Sequence, residues 1–537
     1  MAMNSTAPAK LAYGAVFVLA LPALLLFWER ATRHLIAAPA YGSPALAAAA
    51  AGLGALLIVT AMWQLWTHGG GLPMNAFPPS RLVASTLFRC LPHPIYTGFT
   101  LLCWALSMQA ASPSGLWLVT PLVALACASL VLGYERPDLL ARFGASWQTA
   151  TAFLPAVSEP HTSLPRRFRL ILFTTLPWLL FAWLSGLPIT PLIPLTLLPL
   201  FLTRGSSLRR LAIPSWIALA ICLPFLRAPL LPWILLAASP AILFYERVWS
   251  VLRRASEAIA NSWHEWRLGP VRIINHGFYA GLGTFVGLVL ITAATGPALA
   301  APVLLTVLAG VAGAGLWAQW IEGSPRLLRP YGFYGGLIGV ALACIPFPEM
   351  WQLWAAHSLA GPVVQACGRL RCLIQGCCHG TPAQAGIGIV YHRAESRVTR
   401  MAQLQGVPLH PTQLYSILWN VFTFAVLARA WDAAAPLNLT SALWLILNGI
   451  GRFAEEAYRG EPQTAVFAGL RLYQWLAVAS VLTGIAVSCV PGIAAAPALH
   501  WANVHWPLSA AGFLITSFAL GVDFPASHRR FARLTQQ

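Results

Sequence analysis

Long apolar runs follow one another through this chain with little charge between them. They lie near 11–28, 44–66, 95–111, 116–133, 168–186, 188–202, 211–226, 229–245, 274–294, 300–321, 333–346, 351–366, 413–430, 439–457, 470–490 and 503–521. A helix needs about 20 apolar residues to cross hydrocarbon, where every backbone polar group must be bonded within the segment. Only 9% of the 537 residues are charged, against about 25% in a soluble domain, too few to cover a water-facing surface of this size. The expected fold is all-α, a polytopic membrane protein of roughly 12–16 transmembrane or re-entrant helices. Short or proline-rich runs such as 188–202 leave the number of full crossings open by two or three.

The formal net charge of +18 is carried by arginine, with Lys10 the only lysine. Such a balance can mark a nucleic-acid binder. Here the arginines sit singly or in small groups between apolar runs, which is how loops on the cytoplasmic side look. Codon bias in a GC-rich genome would equally favour Arg over Lys. Arg81, Arg89, Arg166, Arg167, Arg209, Arg210, Arg253 and Arg254 are predicted to face the cytoplasm, and no nucleic-acid partner is expected. The setting expected is a bacterial cytoplasmic (inner) membrane crossed many times.

Four regions emerge. Residues 1–165 end in a polar stretch, and 166–245 form an apolar connector without a chemical motif. In 246–272, Trp249, Leu252, Ile259, Trp263 and Trp266 recur at helical spacing, as in an amphipathic helix lying in the bilayer interface. Residues 273–525 hold the richest motifs. Six of the ten cysteines are scattered; Cys367, Cys372, Cys377 and Cys378 cluster. Cys372, Cys377, Cys378 and His379 could be four zinc ligands, but their spacing lacks the paired C-x-x-C arrangement, so no metal is expected.

Two segments carry chemistry in the first region. One is proline- and glycine-studded and ends His93-Pro94-Ile95-Tyr96-Thr97-Gly98; the other runs Tyr134-Glu135-Arg136-Pro137 to Leu139, Phe143 and Gly144. Polar, proline-rich sequence beside a membrane helix must line a cavity or sit at the interface. His93 and Tyr96 alone could be interfacial anchors. Together the segments resemble the membrane methyltransferases of the isoprenylcysteine carboxyl methyltransferase and phospholipid methyltransferase type. The resemblance implies S-adenosylmethionine as cofactor and a lipid-borne acceptor, with His93, Tyr96, Gly98 and Glu135 at the donor pocket. The sequence departs from that pattern at Pro92, where the family has Arg, and at Arg136, where it has a second Glu.

In the last region, Arg452, Glu455/Glu456 and Arg459 fall at i, i+3/i+4 and i+7, on one helix face. Ionisable groups at membrane depth are expensive and usually functional. An arginine fork suits a phosphate, although a helix-end charge network snorkelling to the interface would look alike. These residues join an ordered series: Leu268-Gly269-Pro270-Val271-Arg272, Tyr331-Gly332-Phe333-Tyr334-Gly335-Gly336-Leu337, Gly368-Arg369, His410-Pro411-Thr412-Gln413-Leu414-Tyr415 and Gln474. The series resembles the prolipoprotein diacylglyceryl transferase family over about 268–490.

That resemblance implies an anionic phospholipid donor such as phosphatidylglycerol, with Arg369, Arg452, Glu456, Tyr334 and His410 catalytic and Arg459, Gln474, Tyr415 and His276 binding substrate. Tyr334 stands where the family has His, Cys377 where it has Glu and Cys372 where it has Asn. A phenol, with a reference pKa near 10, is a poor base at neutral pH. The acceptor expected is therefore a lipid or small molecule. The leading reading is a phospholipid-dependent transferase joined to a methyltransferase-like module. A transporter with broken helices, or a transferase with a structural first half, are the alternatives.

Overall fold

The structure is a computed structural model that describes residues 14–36, 40, 42–72, 78–83, 87–88, 91, 93–144, 245–321, 323, 332–461 and 465–527. Two compact units divide the chain: residues 1–154 with 256–537, and residues 155–255. Of the second unit only the start of one helix falls within the described residues. Residues 166–244 of the connector, Arg89 and Pro92 lie outside them, so of the arginines expected to face the cytoplasm only Arg81, Arg253 and Arg254 are among the described residues.

Every apolar run within the described residues is a helix. In order they are α1 (Leu21–Thr32), α2 (Pro44–Gly69), α3 (Pro94–Gln109) and α4 (Gly115–Phe143), the last with π-helical turns at both ends of its central segment. After α5 (Tyr245–Ala260) come α6 (His276–Thr295), α7 (Ala300–Trp320), α8 (Phe333–Cys344), α9 (Met350–Gln375), α10 (Thr412–Asp432), α11 (Leu437–Ala457), α12 (Leu472–Ser488) and α13 (Trp506–Gly521). Among the described residues five segments are long and apolar enough to cross a membrane: α2, α4, α6, α7 with its preceding turn, and α10. At about 1.5 Å per residue, the 12-residue α8 is too short to cross a hydrocarbon core of about 30 Å. The outer surface is apolar, as Leu56, Val59 and Trp63 on α2 and Leu514, Ile515 and Phe518 on α13 show. This is a multi-pass membrane protein.

The amphipathic helix expected over 246–272 stops at Ala260. Glu265–Leu268 (β1) and Val271–Ile274 (β2) form an antiparallel hairpin instead, with Leu268 opposite Val271. Gly269 in its two-residue turn has φ +56°, which glycine adopts without a Cβ penalty. Val522–Asp523 extends β2 on its other edge, and Arg272 donates to both Asp523 carboxylate oxygens at 2.9 and 2.7 Å. Trp263, expected on the membrane face, is buried beside Ile274.

Helix α11 is the axis of the first unit: every residue from Leu437 to Ile450 is buried, Asn438, Thr440, Ser441 and Asn448 included. The core around it takes in Trp28 of α1, Leu118 and Leu122 of α4, Ile291 of α6, Leu359 of α9, Leu427 of α10 and Ile485 of α12. Both motif-bearing regions therefore share one core. Trp28 Nε1 donates to Ser488 Oγ at 2.8 Å, Ser129 Oγ to the Ile450 carbonyl at 2.6 Å, and Gln474 Nε2 to the Gly133 carbonyl at 2.9 Å.

Lipid tails give helices no hydrophobic reason to associate, so close packing of small residues does much of the work. On α7 and α8, a Cβ added at Gly335 would sit 2.3 Å from the Gly313 carbonyl oxygen and 2.3 Å from Trp317 Cβ. That approach also sets Tyr334, the preceding residue. Gly335→Leu is expected to destabilise the protein by about 1–3 kcal/mol through overpacking, read as a lower melting temperature in detergent. Gly52→Ala, with nothing within 4 Å of its Cβ position, should leave the melting temperature at or slightly above wild type.

Candidate active site

The C-terminal half of α9, the end of α11 and the residue before α12 bring four arginines and two glutamates together. Glu455 is the hub. Its Oε1 accepts from Arg369 Nη2 at 2.9 Å and Arg452 Nη1 at 3.0 Å, and lies 3.7 Å from Arg459 Nη1. Arg452 Nη2 pairs with Glu456 Oε2 at 2.6 Å, and Arg471 Nη1 lies 3.7 Å from Glu456 Oε1. Glu456 is 0% exposed and Arg459 2%. Two carboxylates against four guanidiniums leave a surplus of two positive charges, and among the described residues Arg459 Nε and Nη2 make no hydrogen bond. A surplus of this kind with unused donors suits an anion.

Neighbours hold the arginines in place. Arg369 Nε donates to Ser416 Oγ at 3.0 Å. The Arg452 guanidinium lies 4.8 Å over the Tyr473 ring, which stacks on Tyr334 with centroids 5.7 Å apart. Tyr334 is 5% exposed and its hydroxyl has no hydrogen-bond partner among the described residues. Arg471 donates to the carbonyls of Glu456 and Arg459 at 3.0 and 3.2 Å, and its own backbone N–H donates to Gln474 Oε1. Gln474 Nε2 donates to the Phe453 carbonyl as well as to that of Gly133. Both polar atoms of the Gln474 side chain are thus committed to backbone, which makes it a brace of the site where the sequence suggested a substrate contact.

The loop after α9 closes one end. Gln413 Nε2 donates to the Cys377 carbonyl at 2.8 Å and Thr412 Oγ1 to that of Cys378 at 2.5 Å. Thr381 N–H donates to the Tyr458 carbonyl and Gly380 N–H to that of His410. The His410–Tyr415 motif therefore folds against the Gly368–Gly380 motif and the end of α11. His410 Nδ1 lies 3.0 Å from Tyr415 Oη, and its ring is 5.0 Å from that of Tyr458. Burial first, and then the charge of Arg136, push the His410 pKa below its ordinary value, so its imidazole is neutral at neutral pH. Arg136 comes from α4: the departure from the methyltransferase pattern points its charge at the other motif set. His276 does not join the cluster. It is buried against Trp263, rings 5.5 Å apart, and among the described residues neither ring nitrogen has a hydrogen-bond partner.

A second grouping lies on α3 and α4. His93 Nδ1 is 3.4 Å from Glu135 Oε1, and the His93 and Tyr96 rings are 6.2 Å apart. Among the described residues Glu135 Oε2 is buried without a hydrogen-bond partner, so a cationic ligand would meet an unused acceptor there. Gly98 serves packing: its Cβ would fall 2.6 Å from the Gly54 carbonyl oxygen on α2. Sequence reasoning misses Arg471 and Ser416, which reach the arginine cage only through tertiary folding. The hub role of Glu455 has one signal in sequence, its i+3 position from Arg452.

Comparison with known proteins gives the class, a membrane-embedded, lipid-modifying transferase. The family model for prolipoprotein diacylglyceryl transferase matches residues 265–490, and that for phospholipid methyltransferase matches 43–146. The phosphatidylglycerol-prolipoprotein diacylglyceryl transferase 2 of Clostridium perfringens is 30% identical over 200 residues, 34% of this chain and 74% of the relative. The Clostridium tetani enzyme is 27% identical over 173 residues, 30% of this chain and 67% of its own. That of Aromatoleum aromaticum is 30% identical over 165 residues, 28% and 58%. The chain belongs to the prolipoprotein diacylglyceryl transferase family, with a phospholipid methyltransferase-like module joined to it.

Proposed function

We propose that this protein transfers the diacylglyceryl group of an anionic phospholipid, phosphatidylglycerol in the first instance, to a lipid or small-molecule acceptor at the bacterial cytoplasmic membrane. The observation that carries the proposal is the surplus charge of the arginine cage, with Arg459 donors unused. Attack by the acceptor on the glyceryl carbon breaks its bond to the phosphate oxygen and releases glycerol phosphate. A phosphodiester carries one negative charge; the departing monoester carries about 1.5–2 at pH 7. A fixed cage with two spare positive charges favours the second state over the first, which is what accelerates the step. Arg369 and Arg452 grip the phosphate, Glu455 and Glu456 aim them, and neutral His410 takes the acceptor's proton.

The acceptor follows from what surrounds the cage. Tyr334, in place of a His, is buried and stacked on Tyr473, so the base left for the acceptor is His410 and the acceptor side differs from the family pattern. Expression in a bacterium depleted of its own lipoprotein transferase tests this. Mass spectrometry of total lipids should show new species while growth stays unrestored. Restored growth with diacylglyceryl-modified lipoproteins would make the lipobox cysteine the acceptor. Unchanged lipids with altered solute flux would favour a transporter.

The methyltransferase-like module fits S-adenosylmethionine, which supplies a methyl group as an electrophile when bound. Glu135 offers its unpartnered oxygen to the cofactor's positive charge, and His93 and Tyr96 border it. With Arg136 beside Glu135, binding should be weak but measurable. Calorimetry at millimolar cofactor should give heat for the wild type and less for Glu135→Gln; no heat in either would mean a module kept for structure alone.

A further inference from the structure

Sequence spacing speaks against a metal at the cysteine cluster, but the fold assembles what the spacing does not advertise. Cys372 on the last turn of α9 and Cys377 and Cys378 in the turn beyond it place their three Sγ atoms within 4.8 Å of one another. We propose that Cys372, Cys377 and Cys378 form a three-thiolate site for a thiophilic cation, Zn²⁺ or Cu⁺, with one coordination position left open. Three sulfurs bound at about 2.3 Å to one ion stand about 4 Å apart, so the observed spacing needs only a small contraction. His379 follows Cys378 directly, but its ring nitrogens do not fall in the group of clustered ligand atoms, which holds only the three sulfurs.

Two further observations separate this trio from ordinary packed thiols. The first is backbone conformation. Cys378 has φ +59°, which residues with a Cβ rarely adopt. Among the described residues the other non-glycine positions with positive φ, Ala111, Gln403, Ala434 and Ala468, are all exposed, whereas Cys378 is not. The turn is held there from three sides: Gln413 on the Cys377 carbonyl, Thr412 on the Cys378 carbonyl, and Glu461 Oε2 accepting from Cys378 N–H at 3.3 Å. Unfavourable backbone held by its surroundings is common at ligand sites. The second is charge. Arg369 and Arg459 lie within electrostatic reach of Cys378, so the single negative charge left on three thiolates around Zn²⁺ is offset, and the cage keeps one of its two surplus positive charges for the phosphate. Soft thiolate ligands select Zn²⁺ or Cu⁺ over Mg²⁺ or Ca²⁺. Metal binding here does not depend on which acceptor the transferase uses.

The full-length protein, purified in detergent and stripped with chelator, tests it. Zn²⁺ or, under reducing anaerobic conditions, Cu⁺ should bind at one equivalent by elemental analysis after dialysis. Bound metal should protect three thiols from alkylation, mapped by peptide mass spectrometry to Cys372, Cys377 and Cys378. Cd²⁺ as a probe should give the ultraviolet charge-transfer band of a metal thiolate. Cys377→Ser and, separately, Cys372→Ser should abolish the band and the protection, whereas Cys367→Ser, outside the trio, should keep both. Binding far below one equivalent of either metal would overturn the proposal. So would binding that survives in the Cys372 and Cys377 variants, or equal alkylation of the three thiols with and without metal; melting temperature confirms that each variant is folded.

Discussion

Arg452→Lys is expected to lower transferase turnover by about 10²–10³-fold, the loss typical of removing one preorganised donor from a charge-stabilising site. Arg452 reaches Glu455 at 3.0 Å and Glu456 at 2.6 Å while its guanidinium lies over the Tyr473 ring at 4.8 Å. Lysine keeps the charge but has neither the fork nor the flat face, so the phosphate meets a point charge aimed by nothing. Arg369→Lys should behave alike, because the two arginines share Glu455 Oε1. The check is the initial rate of glycerol phosphate release by variants whose melting temperatures match wild type. Near-normal turnover in both would remove these residues from the phosphate grip.

Glu456→Ala should cost stability more than any other single change in the site, about 3–5 kcal/mol. Glu456 is fully buried and faces Arg452 at 2.6 Å and Arg471 at 3.7 Å. Removing it leaves Arg452 in a low-dielectric interior with only a share of Glu455, which Arg369 already occupies. Glu456→Gln keeps the shape and an acceptor oxygen and should fall between. Thermal unfolding in detergent reads the order wild type, Gln, Ala; an Ala variant melting with wild type would mean that the pair is not a structural element.

The helices are legible in sequence because hydrocarbon permits few alternatives. A run such as 439–457 must satisfy its backbone internally, and the structure has α11 at Leu437–Ala457. The stop at Ala260 is harder to read. Tryptophans at helical spacing continue past it, but the Gly269–Pro270 turn makes a hairpin whose edge is completed by Val522–Asp523, far along the chain. The arginine–glutamate face follows from positions i, i+3, i+4 and i+7. The role of Gln474 does not: it bonds to Gly133, 341 residues away, and that contact turns it from a substrate residue into a brace. Gly98 ends a motif and so points to a cofactor pocket, yet its missing side chain lets α2 approach α3. Arg136 looks like a defect in the first motif. Its charge acts on His410 in the second, which only the packing of α4 against α11 brings about.

Whether the arginine cage holds the phosphate of the lipid that reacts is the most direct point to test. Full-length protein reconstituted into vesicles of phosphatidylglycerol labelled in its headgroup phosphate, with cell extract supplying the acceptor, measures this as water-soluble labelled glycerol phosphate. The prediction is steady release that Arg369→Lys and Arg452→Lys each cut by about a hundredfold or more. Release undiminished in both variants, or no release above empty vesicles, would contradict it.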